Sequence, residues 1–143
     1  MLAYPALFSP DDPPGSFTAT FRDVPEAITC GFSAAETLEM AADVLSFALS
    51  DYIEGGRPIP PPSARQAGET MVPLPAEAAA KIGLYEAMRT LGVNPAGLAS
   101  RLGASEADVR SLLDTGSPAR LDEIERALAA LGKRLDIRVS DAA

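Results

Sequence analysis

The chain has no histidine and a single cysteine among its 143 residues. Without histidine it lacks the side chain that titrates near neutrality and the commonest transition-metal ligand. Any enzymatic reading must then run on carboxylates, lysine, serine or tyrosine. One thiol cannot close an internal disulfide, so a reducing, cytoplasmic setting is expected. Cys30 stands among apolar neighbours and reads as a small buried hydrophobe. No stretch approaches the roughly 18 consecutive apolar residues of a membrane span. The opening MLAYPALFSPDD has no basic region ahead of an apolar one. Neither a membrane partner nor a signal peptide is therefore expected. Bases are scarce too, 12 Lys and Arg against 20 Asp and Glu. What the chain does have is apolar content, 47%, enough for one ordinary domain or two small ones.

The acid excess is not spread evenly. Residues 1–74 carry ten acids and three bases (Arg22, Arg57, Arg65), a net of −7. Residues 75–143 carry ten acids and nine bases, a net of −1. Prolines mark the boundary. They crowd GGRPIPPPSA, Gly55 to Ala64, and return at Pro73 and Pro75. Proline fixes φ and removes a donor, so these stretches are extended and end what precedes them. Two domains are expected, 1–74 and 75–143, suited by charge to different partners.

In the first half, GSFTATF alternates Phe17, Ala19 and Phe21 against Ser16, Thr18 and Thr20, the pattern of a half-buried strand. LAYPALF is its expected partner across the turn-forming SPDDPPG, and AITCGF is a third short strand. The period then lengthens. Leu38, Ala41, Leu45, Ala48, Leu49 and Tyr52 fall on one helical stripe, with Ser33 and Glu36 as a capping box and Gly55–Gly56 as the stop. GETMVPL, Gly68 to Leu74, can return as a fourth strand. The expected order is β-β-β-α-β, with the helix across one face of the sheet.

This stretch is similar to the N-terminal domain of HicB-type antitoxins. The matching residues are Phe21, Asp23, Pro25, Glu36, Ile59, Pro60, Pro62 and Ser63; Glu26 replaces a glycine common in the family's turn. The resemblance implies a partial ribonuclease H-like fold without catalytic carboxylates. It also implies a partner, a small basic HicA-like toxin that cleaves mRNA and whose active site this domain blocks. A protein that holds RNA needs a basic surface, and a domain of net −7 is a natural counterpart.

The second half is helical. AEAAAKIGLYEAMRTLG carries an apolar stripe of Ile82, Tyr85, Met88 and Leu91. Asn94 and Pro95 open the next helix as cap and first residue. Leu98 and Ala99 face inward, Gly103 turns the chain, and Ser105 with Asp108 caps a further helix whose inward face is Val109, Leu112 and Leu113. That spacing is a helix-turn-helix pattern. Residues 78–131 look like Xre/Cro-type repressors in a five-helix-like layout. The whole chain is thus expected to be α+β, a β-β-β-α-β domain followed by an all-α helix-turn-helix domain with a short C-terminal strand.

On DNA, the outward residues of the second helix are Ser105, Glu106, Ala107, Arg110 and Ser111. Arg110 suits a guanine edge or a phosphate, Glu106 a cytosine amine, and Ala107 a thymine methyl. Arg101 and Arg120 flank the helix as phosphate contacts. Many relatives of the repressor family carry glutamine where Glu106 stands. Reading a palindromic operator needs two copies, as a homodimer or a dimer of dimers. SPARLDEIERALAALG forms a last helix with Leu121, Ile124, Leu128 and Leu131 in a stripe. KRLDIRVS, Lys133 to Ser140, alternates as a strand that pairs with a second copy or docks on its own helices.

The leading reading is an antitoxin with two jobs, toxin capture by the first half and operon repression by the second. The runner-up is a transcription regulator whose first half senses a small ligand or another protein. An enzyme is the third reading, with Asp11, Asp12, Asp23, Glu26 and Asp43 as candidate Mg²⁺ ligands; turn chemistry accounts for several of these acids, so neither catalysis nor a metal or other cofactor is expected.

Overall fold

A computed structural model describes residues 2–142 of the chain, so Met1 and Ala143, the outer ends of the two expected domains, lie outside the described residues. Three strands come first, β1 (Ala3–Pro10), β2 (Phe17–Phe21) and β3 (Ile28–Gly31). Helix α1 (Ala34–Glu54) and strand β4 (Glu69–Pro73) follow. Four helices complete the chain, α2 (Ala76–Leu91), α3 (Pro95–Leu102), α4 (Glu106–Leu113) and α5 (Leu121–Ala130). The fold is α+β, with an antiparallel sheet in the order β3-β2-β1-β4. A five-helix-like layout was expected over 78–131; four helices form there, and a hydrogen-bonded turn joins α4 to α5.

Strand parity decides what each sheet residue meets. Ala6 pairs with Phe21, Tyr4 with Val72, and Phe17 with Gly31. Tyr4, Ala6, Ala19, Phe21 and Val72 are buried against α1, whose Ala41, Leu45, Ala48 and Leu49 complete this part of the core. Gly31 is required here: a Cβ on it would sit 2.7 Å from the backbone nitrogen of Thr37 at the start of α1. The opposite parity turns Leu7, Thr20 and Ile28 to the uncovered face, and Cys30 with them. Cys30 is exposed, not the buried hydrophobe its neighbours suggested. Leu38 likewise stands 37% exposed, and Thr37 is buried in its place.

The α1 cap forms largely as its sequence implies. Ser33 accepts from the Glu36 N–H at 3.1 Å, but the Glu36 carboxylate reaches back to the Phe32 N–H at 2.8 Å. Glu26 occupies its turn without a left-handed backbone, since no described residue other than glycine has positive φ.

Helix α2 buries more than the one expected stripe. Ala78, Lys81, Ile82, Leu84, Tyr85 and Met88 are all buried, while Leu91 is 46% exposed. The helix touches the first half on one side and α4 and α5 on another. The Tyr85 hydroxyl donates to Arg57 O at 2.8 Å, and Arg89 bonds Gly56 O. In α5, Ile124, Ala127 and Leu128 point inward, with Leu131 buried just beyond; Leu121, the first residue of the helix, is 42% exposed.

The expected C-terminal strand is absent from the single chain. Residues 133–142 have no regular structure, because no other strand lies beside them. No helix among the described residues is long and apolar enough to cross a membrane.

Candidate functional site

The α3–α4 pair is built by three local devices. Asn94 accepts from the Gly97 N–H at 2.7 Å and starts α3. Gly103 ends it at φ +64°, a left-handed turn that an L side chain resists. Ser105 and Asp108 then cap α4 reciprocally, at 3.0 and 3.2 Å. The inward faces, Leu98 and Ala99 against Val109, Leu112 and Leu113, are buried. Ala99 is the small residue at the contact.

All seven residues assigned to DNA are exposed. Ser105, Glu106, Ala107, Arg110 and Ser111 come together on the cap and outer side of α4. Arg101 stands on the last turn of α3, and Arg120 immediately precedes α5. Two of the arginines are already paired. Arg110 bonds Glu106 at 2.7 Å, one turn apart, and Arg120 bonds Asp122 at 3.0 Å. Exposed pairs of this kind hold weakly, roughly 0.3–0.5 kcal/mol for i,i+4 neighbours, so a phosphate can displace the acid.

What fixes α4 relative to the rest was not foreseen. Lys81 is completely buried in α2. Its ammonium donates to Asp114 O, the C-cap of α4, at 2.5 Å, and also to Ser117 O. One turn earlier, Glu77 accepts from the Ala119 N–H at 2.5 Å. The Asp114 carboxylate accepts from Gly116 N–H and from the Ser117 hydroxyl, and these bonds, with Lys81 close by, hold its pKa below the ordinary carboxylate range. A buried cation thus clamps the α4–α5 turn. Its alanine-rich surroundings gave no local sign of it; only the long-range packing of α2 reveals it.

The family-matching residues of the first half have structural jobs. Asp23 accepts from both the N–H and the hydroxyl of Ser63, at 2.8 and 2.6 Å. Tyr4 donates to Pro60 O at 2.7 Å, and Ile59 is buried. Burial pushes the Tyr4 phenol up to about 12, with Glu86 and Asp23 adding to the effect. Arg22 bridges Glu69 and Ala64 O, and the bond from Arg22 draws the Glu69 carboxyl down. Together these contacts strap the proline-rich segment 57–65 along the sheet. Of the acids weighed as metal ligands, Asp11 accepts from Thr18, Glu26 from Tyr52, and Asp23 from Ser63. No group of three or more His, Cys, Asp or Glu side chains converges among the described residues.

A cleft of about 600 Å³ lies between the halves, lined by Glu54 from α1, Tyr85 and Arg89 from α2, and Arg110 and Leu113 from α4.

Comparison with known proteins bears on both halves. The family described as HicB_like antitoxin of bacterial toxin-antitoxin system matches residues 3–83. The chain is 36% identical to Antitoxin HicB 2 of Photorhabdus laumondii over 95% of each chain. It is 36% identical to Antitoxin HicB of Pseudomonas fluorescens over 90% of this chain and 89% of that one. It is 31% identical to Antitoxin HicB of Escherichia coli over 95% of this chain and 98% of that one. The likeness to these relatives therefore runs on through the helical half. The chain belongs to the HicB-like antitoxins of bacterial toxin–antitoxin systems.

Proposed function

We propose that this antitoxin divides its work between its halves. The acidic first half, read as a partial ribonuclease H-like domain, binds and blocks a small basic HicA-like ribonuclease. The second half, read as an Xre/Cro-like helix-turn-helix, binds operator DNA as a dimer and represses the operon. The work takes place in the cytoplasm, where mRNA and operator are both in reach.

The observation that carries this reading is the α3–Gly103–α4 unit. It is tightly capped, clamped from behind by Lys81, and presents Ser105, Glu106, Ala107, Arg110 and Ser111 to solvent. A short capped helix offers its N-terminal side chains to base edges in the major groove. Arg110 reads a base or a phosphate; Arg101 and Arg120 hold the backbone. The first half, at net −7, contributes fast, salt-sensitive capture of a basic partner.

The test separates the two jobs. Arg110→Ala abolishes operator binding in a gel-shift assay and leaves toxin neutralisation in growing cells intact. Loss of neutralisation with DNA binding spared would overturn the division.

A second reading, a regulator that senses a small ligand, has the 600 Å³ cleft in its favour, a volume suited to a small molecule. Mass spectrometry of the purified protein discriminates. A bound basic polypeptide supports the toxin, and a bound small metabolite supports the sensor.

A further inference from the structure

The outer side of α1 is unlike the rest of the first half. Helix Ala34–Glu54 carries five of that half's ten acids (Glu36, Glu39, Asp43, Asp51 and Glu54) and no base. Two large apolar side chains stand among them, two turns apart, Met40 at 40% and Phe47 at 67% exposure. Leu45, Ala48 and Leu49 fill the core side of the same turns, so Phe47 has no place there. Instead it lines, with Asp43, a groove of about 370 Å³ shared with Glu77 of α2 and with Gly116, Ser117 and Pro118 of the α4–α5 turn. The turn is held to α1 at this point: the Thr115 hydroxyl donates to Ser46 O, in mid-helix, at 2.6 Å. Lys81 and Glu77 hold the same turn from α2. The groove is thus a fixed seam between the halves, and none of the seven residues assigned to DNA lines it.

We propose that this seam seats a basic side chain of the toxin, so that the toxin is gripped by both halves and not by the first alone. The inference rests on the reading that the first half captures a basic ribonuclease, and it names the place and the chemistry. An aromatic face and a carboxylate side by side attract a cation together. Phe47 supplies the face and the exposed Asp43 the charge. Glu77 is largely committed, since it accepts from the Ala119 N–H and stands 3.7 Å from the Lys81 ammonium. Met40 is a second apolar anchor, two turns toward the start of α1. Apolar anchors within a charged rim are what hold an interface together. The uncovered sheet face is the competing surface. Leu7 and Ile28 are exposed on it, but the acid its strands carry, Glu69, is tied to Arg22. It has no free charge to offer a basic partner.

Full-length variants titrated with the cognate toxin in surface plasmon resonance test the seam, with thermal melts to show that each variant folds. Phe47→Ser changes an exposed side chain and raises the toxin off-rate about tenfold or more. Asp43→Asn lowers the on-rate roughly threefold at low salt and much less at high salt. Gly116→Arg tests the helical side of the groove. Its own guanidinium enters the seat and repels the toxin's base, so affinity falls about tenfold or more. The Gly116 backbone is not left-handed, and an added Cβ would meet only the Asp114 carboxylate, at 3.4 Å, so the side chain is tolerated. Ile28→Ser, on the sheet face, binds toxin as the unsubstituted chain does. Phe47→Ser and Gly116→Arg that both bind normally would overturn the seam, as would loss of the toxin by Ile28→Ser alone; either result leaves capture by the first half in place. Normal binding by Gly116→Arg with failure of Phe47→Ser confines the site to the first half and overturns the two-sided grip. An unsubstituted chain that never binds the toxin overturns the capture reading itself.

Discussion

The two halves use their polar side chains in opposite ways. In the first, family-matching residues and their neighbours are turned into struts. Asp23 holds Ser63 and Tyr4 holds Pro60, while Arg22, outside the motif, holds Glu69 and Ala64. In the second, the struts lie behind the candidate site, at Lys81, Glu77 and Asp114, and the α4 side chains face water with weak local pairing. A motif residue can therefore report fold without reporting contact. On the proposed division of work, the surface that meets the toxin is to be sought among the exposed acids of the first half rather than at Asp23, Pro60 or Ser63.

The largest effect expected from breaking this contrast is at Lys81. Lys81→Met removes a fully buried donor from two carbonyls of the α4–α5 turn. It should cost about 2–5 kcal/mol, measured as a lower urea midpoint, and should weaken operator binding by loosening α4. Asp23→Ala removes two hydrogen bonds to Ser63 and frees the proline segment. About 2 kcal/mol of stability is expected to go, with operator affinity per folded molecule unchanged. Equal damage to both functions from either variant would mean that the halves are not independent in their supports.

The smallest effect is with pH. The Tyr4 phenol is raised to about 12 from its ordinary value near 10. Its neutral form is favoured by folding, so its contribution is complete below pH 10 and fades as pH rises toward 12. The Asp11, Glu69 and Asp114 carboxyls are lowered, Asp11 and Glu69 chiefly by side-chain bonds from Thr18 and Arg22, Asp114 by the Gly116 N–H. Their contribution is present above the ordinary carboxylate range and lost on acidification, weakly, since these groups are largely solvated. Thermal melts should therefore plateau near neutrality and fall on both flanks.

Local signals were legible in the sequence. The Ser33, Asn94 and Ser105 caps, the Gly103 turn and the parity of Phe17, Ala19 and Phe21 each depend on a few neighbouring residues, and all appear in the fold. Features set by distant packing were not legible. Cys30 faces out because its pairing opposite Thr18 fixes parity, and the apolar neighbours could not convey that. Lys81 is buried because α2 is covered on more than one side. The strand expected at 133–140 does not form: alternation alone supplies no neighbour for it to pair with. The seven residues assigned to DNA were legible as exposed positions; the Glu106–Arg110 pair and the Lys81 clamp were not.

The central claim is that capture of the toxin and reading of the operator reside on different surfaces. Three full-length proteins test it most directly: the unsubstituted chain, Arg110→Ala, and Glu39→Lys/Asp43→Lys on the exposed side of α1. Each is titrated with operator duplex and, separately, with the cognate toxin. The account predicts that Arg110→Ala loses the duplex and keeps the toxin, while the α1 variant keeps the duplex and captures toxin more slowly. Arg110→Ala losing the toxin while it still holds the duplex would contradict it.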